Sequence, residues 1–264
     1  MPVSPITAFA LLARSPDEVL ELDALCVAIA RMGRPDLELP AIRAQLDALA
    51  LEVDVDPAAP PDRLARSFQQ AMSGQLRLTG SHTNWRDPRS SFIDVVLERR
   101  NGLPILLSTL WVLLGQRLGV PIKGVGWPGQ FLVCLDAPGA RIYLDPYADG
   151  RVRQPADLLA EAGPGARPYL NPISTRAIGL RMLINLKHLW VDSEDWGQAL
   201  GAIDRILLLS GEDPLQLRDR GLVALHLGRT AEAARDLRRY LSLHPEAEDQ
   251  PQVRHILERL GAKT

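Results

Sequence analysis

Apolar residues recur at helical spacing through most of this chain, and the places where that period breaks mark where the fold changes character. Ser15-Pro-Asp-Glu18 reads as a capping box, with serine at the N-cap, proline at the first helical position and glutamate at the third. It predicts a helix carrying Val19, Leu22, Leu25, Cys26 and Ile29 on one face. A second helix is expected after Pro40 through Ile42, Leu46 and Leu49, and a third from Pro61 through Leu64, Phe68 and Met72. A fourth should start at Asp87-Pro88 and run through Phe92, Val95 and Val96 to Arg100. From Leu103 to Leu118 the chain is apolar nearly all round, which predicts a buried central helix, and Gly119 is its expected stop.

Beyond Gly119 the period shortens. Pro121–Val125, Gln130–Leu135 and Arg141–Leu144 read as strands, with Asp136-Ala-Pro-Gly139 as the turn between the last two. Setting residue 136 opposite 139 pairs Cys134 with Arg141, Leu132 with Tyr143, and Gln130 with Asp145. Phe131, Val133, Ile142 and Leu144 then share the core face. An antiparallel sheet packed on a buried helix is an α+β pattern.

The last third repeats itself at a spacing of 34 residues: Ala199 matches Ala233, Ile203 matches Leu237, Leu207 matches Leu241, and Leu209 matches Leu243. Gly221 and Pro245 flank Ala233 symmetrically, as in the tetratricopeptide pattern of helix–turn–helix units, while the first copy carries Lys187 and Gly211 at the corresponding positions. Val253, Ile256, Leu257 and Leu260 predict a closing amphipathic helix. So short an array is expected to need cover from the rest of the chain.

Composition narrows the function. The 264 residues include 30 Lys+Arg against 32 Asp+Glu, a net charge of -2, which argues against a large basic face for nucleic acid. No stretch approaches the ~18–20 uncharged apolar residues of a membrane span. The N-terminus lacks a basic region ahead of its apolar residues, so no cleaved signal is expected and the chain reads as cytoplasmic. Two cysteines, Cys26 and Cys134, with no CxxC and no Cys/His cluster, predict neither a disulfide scaffold nor a metal site. The glycines at 124, 126 and 129 precede strands rather than a helix and make no phosphate cradle, so no cofactor is expected.

The run from Thr79 to Gly150 resembles the SirB1 family of transglutaminase-like proteins. The resemblance rests on Asp87-Pro88, Val96-Leu-Glu-Arg-Arg100, Gly102-Leu-Pro-Ile105, Arg117-Leu-Gly-Val-Pro121, Pro128-Gly-Gln-Phe-Leu-Val133 and Leu144-Asp-Pro146, joined by Arg181-Met-Leu-Ile-Asn-Leu-Lys187 and Arg218-Asp-Arg-Gly-Leu222. It implies two parts. Residues 1–175 would hold a helical N-terminal region and a transglutaminase-like (papain-like) helix-plus-antiparallel-sheet domain. Residues 176–264 would form an all-α tetratricopeptide-like hairpin domain with its closing helix. Such folds place a cysteine at the start of the central helix, a histidine on a following strand and an aspartate on the next, a sound arrangement for nucleophilic catalysis. Here the helix start is Pro104-Ile105-Leu106, Gln130 stands where the family has histidine, and Asp145 alone remains. The triad positions Leu106, Gln130 and Asp145 are therefore read as degenerate, and the chain as leaning away from catalysis.

Other trios fare no better. Cys134 with His82 is the obvious substitute, yet Cys134 lies four residues along its strand from Gln130, roughly 13 Å at ~3.3 Å per residue. Ser108 is expected to bond a backbone carbonyl, and Asp145 and Asp149 to form a turn. The expected function is a protein-interaction or regulatory module, with a protein or peptide partner and neither nucleic acid nor membrane. The alternative is a hydrolase or acyltransferase with a noncanonical nucleophile. In tetratricopeptide-like repeats the first helix of each unit lines the concave face, which places Arg181, Ile184, His188 and Asp192 there from copy one, and Leu215, Arg218, Leu222 and His226 from copy two. The arginines would then meet a partner's carboxylate; the alternative is that docking on the first domain covers this face and leaves Arg218 to pair with an internal acid.

Overall fold

The computed structural model describes residues 4–80 and 86–261. Its first helix, α1 (Pro5–Ala13), groups with the C-terminal residues in one compact unit, and residues 15–182 form the other. The expected boundary at 175/176 thus moves to Met182/Leu183. The reason lies in what the helix over Thr175–Asp192 does in its first turns: Arg176 bonds Asp17, and Arg181 bonds backbone carbonyls at Trp127 and Gln130, all within residues 15–182. At the other end, Phe9 of α1 is fully buried beneath the guanidinium of Arg205, 5.6 Å from its ring centroid, which assigns α1 to the C-terminal unit.

The unit over residues 15–182 begins with turns rather than with the helix read from Ser15. Arg176 donates to the Asp17 carboxylate at 2.7 Å and to the Ser15 carbonyl at 2.6 Å, holding that segment out of helical geometry. Helices α2 (Leu22–Ala30), α3 (Leu39–Leu51) and α4 (Pro61–Gln69) follow, then β1 (Thr79–Gly80), α5 (Ile93–Arg99) and β2 (Asn101–Gly102), which pairs in parallel with β1. The expected central helix is α6 (Pro104–Arg117), buried without interruption from Ile105 to Gly115. At Gly115 a Cβ would stand 2.9 Å from that of Ile122, so the glycine lets α6 close onto the sheet.

That sheet is antiparallel, ordered β3 (Ile122–Val125), β4 (Leu132–Ala137), β5 (Ala140–Asp145) and β6 (Arg151–Arg153), and α7 (Pro155–Ala162) follows it. The β4–β5 register differs from the expected one by two residues: Ala137 faces Ala140 and Cys134 faces Tyr143. Pro138-Gly139 are the two central turn residues, with Gly139 at φ +75°, so proline occupies the position that fixes φ and glycine the one that needs it positive. A slip of two keeps every side chain on its face. Val133, Ile142 and Leu144 do share a side, but the opposite one is covered as well: Leu132, Cys134 and Tyr143 cluster with Leu158, Ala166 and Leu170.

From Leu183 onward α8 (Thr175–Asp192) belongs to the other unit, where with α9 (Trp196–Ser210), α10 (Pro214–His226) and α11 (Thr230–Leu243) it forms two hairpins, closed by α12 (Gln250–Gly261). The repeat of 34 is structural, since it separates Trp196 from Thr230 at the helix starts and Asp192 from His226 at the helix ends. At Gly221 a Cβ would lie 2.8 Å from Leu237 Cγ, so α10 and α11 meet at that glycine. Copy one puts Lys187 there instead, and its ammonium reaches Asp219 Oδ2 at 2.7 Å and Gln216 Oε1 at 3.1 Å on α10. The architecture is α+β followed by a helical repeat domain.

Candidate functional site

Leu106, Gln130 and Asp145, the positions read from the sequence as a degenerate triad, lie on three different segments. Leu106, in the first turn of α6, is fully buried in the core. Two residues on, Ser108 Oγ donates to the Phe131 carbonyl at 2.8 Å, the backbone role expected of it, and ties α6 to the start of β4. Gln130 lies in the turn ahead of β4, not on the strand, and does not pair with Asp145 directly. Arg153 stands between them: its Nη1 donates to Gln130 Oε1 at 3.3 Å and lies 3.8 Å from Asp145 Oδ2, while Nη2 holds Glu161 at 2.6 and 2.7 Å. Asp145 also accepts from the amides of Tyr147 and Ala148, the turn-forming role read from the sequence. Burial raises its pKa above the ordinary value, against the pull of those amides and of Arg153. Nothing in the sequence marked Arg153, whose strand β6 is only three residues long.

The thiols lie elsewhere. Cys134 is fully buried, and burial, with Asp136 second, pushes its pKa up to about 12. Cys26 is raised further by burial. A thiol in such surroundings is inert. His82, its suggested base, lies outside the described residues. Among the described residues no group of three or more His, Cys, Asp or Glu side chains is arranged to hold a metal ion.

The repeat-face residues divide. Arg181 turns into residues 15–182, donating to Trp127 O at 3.4 Å and Gln130 O at 3.1 Å and lying over the Phe131 ring. Arg218 is engaged within the repeat unit, by Asp219 at 3.0 Å and Asp249 at 2.9 Å. Arg218 thus pairs with internal acids, as the covered-face alternative expected, and Arg181 is held by backbone carbonyls. Ile184 is half-buried, and Asp192 and Leu215 are exposed. His188, Leu222 and His226 do come together, lining a cavity of about 270 Å³ with Lys187, Val191, Trp196, Ile203, Asp219 and Val223. The Trp196 and His226 rings stack there at 3.8 Å and 12°. Trp196 and Lys187 escaped the sequence reading of the face. Lys187 showed only as a departure from the repeat's glycine, and Trp196 belongs to the second helix of its hairpin.

The comparisons with known proteins match two successive regions of the chain. The profile of the transglutaminase-like superfamily matches residues 40–184 and that of the tetratricopeptide repeat matches residues 186–259. A UPF0162 protein of Xylella fastidiosa (strain Temecula1) is 34% identical over 262 residues, covering 94% of this chain and 92% of that protein. A UPF0162 protein of Vibrio cholerae is 31% identical over 215 residues, covering 78% and 80%. The chain belongs to the transglutaminase-like superfamily and, within it, to the UPF0162 proteins. No solved structure gives a significant match. Among the described residues no helix is long and apolar enough to cross a membrane.

Proposed function

We propose that the chain is a SirB1-type, non-catalytic interaction module of the cytoplasm, in which the transglutaminase-like domain serves as scaffold and the repeats hold a protein or peptide partner. One observation carries the reading: Arg153 between Gln130 and Asp145. Acyl transfer through a thiol needs a nucleophile, a base to take its proton and a group to orient the base. In their places stand a buried leucine, an amide and a carboxylate beside a guanidinium. An amide is no base near neutral pH, and arginine keeps its proton throughout. The tetratricopeptide match and the cavity between α8, α9 and α10 support the partner-binding half.

The reading makes a prediction about the thiols. In native protein treated with iodoacetamide at mildly alkaline pH, Cys26 and Cys134 should stay unmodified over a period in which the guanidinium-unfolded chain is alkylated at both, as followed by intact mass. Rapid alkylation of Cys134 in the folded protein would reveal an accessible thiolate and would overturn the non-catalytic reading.

A further inference from the structure

The repeat cavity also carries information about the charge of what enters it. Its walls are apolar on three helices, through Val191, Ile203, Leu222 and Val223. About 270 Å³ falls just short of the roughly 300–1,000 Å³ of small-molecule sites and fits a single side chain. The cations near it are committed. Lys187 is neutralised by Asp219 at 2.7 Å, and Arg218 is held by Asp219 and Asp249. Desolvation, reinforced by Lys187, lowers the pKa of His188 from its ordinary value, against the pull of Asp219 and Asp192.

The carboxylates are not committed in the same way. Asp192 lies one helical turn beyond His188 and Glu194 sits in the turn before Trp196; both are exposed. Neither makes a side-chain hydrogen bond or ion pair among the described residues. Asp195, beside them, caps α9 by accepting from Gln198 N at 3.1 Å. Asp192 and Glu194 thus lie in the chain between two lining residues, Val191 and Trp196, with no arginine or lysine between Asp192 and Trp196.

We propose that this cavity receives the apolar anchor of a basic peptide segment, with lysine or arginine beside the anchor set against Asp192 and Glu194. The proposal rests on the interaction reading above and reverses the sign of partner that Arg181 and Arg218 suggested. It has a direct test on the full chain. Three capped pentapeptides serve as probes: leucine between paired lysines, leucine between paired glutamates, and glycine between paired lysines. Binding is followed by calorimetry and by tryptophan emission.

The lysine–leucine peptide should bind at least tenfold more tightly than either of the others. Exposed ion pairs are each worth up to about a factor of five, so Asp192→Asn with Glu194→Gln should weaken it by about tenfold. Glu246→Gln with Glu248→Gln, which removes two exposed carboxylates elsewhere on the same unit, should leave it unchanged. Tighter binding of the glutamate peptide, or equal weakening by the two double variants, overturns the proposal. Failure of all three peptides to bind overturns it too, and leaves the non-catalytic reading standing on its own thiol and turnover assays.

Discussion

Leu106→Ala should destabilise the unit over residues 15–182 by about 2–5 kcal/mol, the range for truncating a large aliphatic side chain in a packed core. The position would hold chemistry if this domain followed the pattern of its superfamily. Instead, Leu106 is fully buried on a helix whose neighbours Ile105, Leu107 and Leu110 are buried as well. A side chain lining a solvent-filled cleft has few packing contacts to lose, whereas one enclosed by α6 and the sheet leaves a cavity behind. Urea denaturation followed by far-UV circular dichroism decides the matter. A loss below about 1 kcal/mol would place Leu106 at a cleft and weaken the case that the old nucleophile position has joined the core.

Arg220→Ala should have an effect of similar size on the repeat unit. Arg220 donates from Nε to Asp236 Oδ2 at 2.6 Å and from Nη1 to Asp204 Oδ1 at 3.1 Å, joining α10 to both α9 and α11. Asp204 is 41% exposed and its pair is worth little, but the Asp236 side chain is only 5% exposed. Without Arg220 that carboxylate keeps only Arg235, 3.7 Å away and 70% exposed. Removing one partner of a buried pair costs about 3–5 kcal/mol, because the remaining charge stays desolvated. The double variant Arg220→Leu with Asp236→Leu should recover much of the loss, which thermal melts of the single and double variants would read directly. No recovery would mean that Arg220 acts through its packing and not its charge.

How much of this could be read beforehand depended on whether the signal was local. The central helix was legible because sixteen successive positions from Leu103 to Leu118 leave no polar face, and α6 occupies most of them. The helical repeat was legible because its period survives in small and apolar residues that pack α9 and α11. The helix read from Ser15 begins instead at Leu22, where α2 carries Leu22, Leu25, Cys26 and Ile29, since the residues expected to start it answer to Arg176, some 160 positions away. The hairpin register was within reach: Pro138-Gly139 is a strong local turn signal that had been centred one residue too early.

The candidate site was legible only in what it lacks. Leu106 and Gln130 are visible departures from the pattern that the resemblance implies, but Arg153, which bonds Gln130 and lies beside Asp145, comes from a strand and a pairing with Tyr143 that no local pattern announced. The repeat face behaved similarly. His188, Leu222 and His226 line one cavity, while the fate of Arg181 and Arg218 depended on Gln130, Trp127, Asp249 and Asp219 as partners. Apolar periodicity reports which face is buried. It does not report which cation finds an acid first.

The measurement that bears most directly on the central claim is turnover by the purified chain, with a glutamine-containing peptide and an amine acceptor in one assay and an activated acyl ester in another. With a guanidinium between the amide of Gln130 and the carboxylate of Asp145, and with Cys134 buried, the rate should equal that of buffer for both the native chain and Cys134→Ala. Turnover by the native chain that disappears on Cys134→Ala would contradict the account, because it would show a reactive thiol at a position that the structure buries completely.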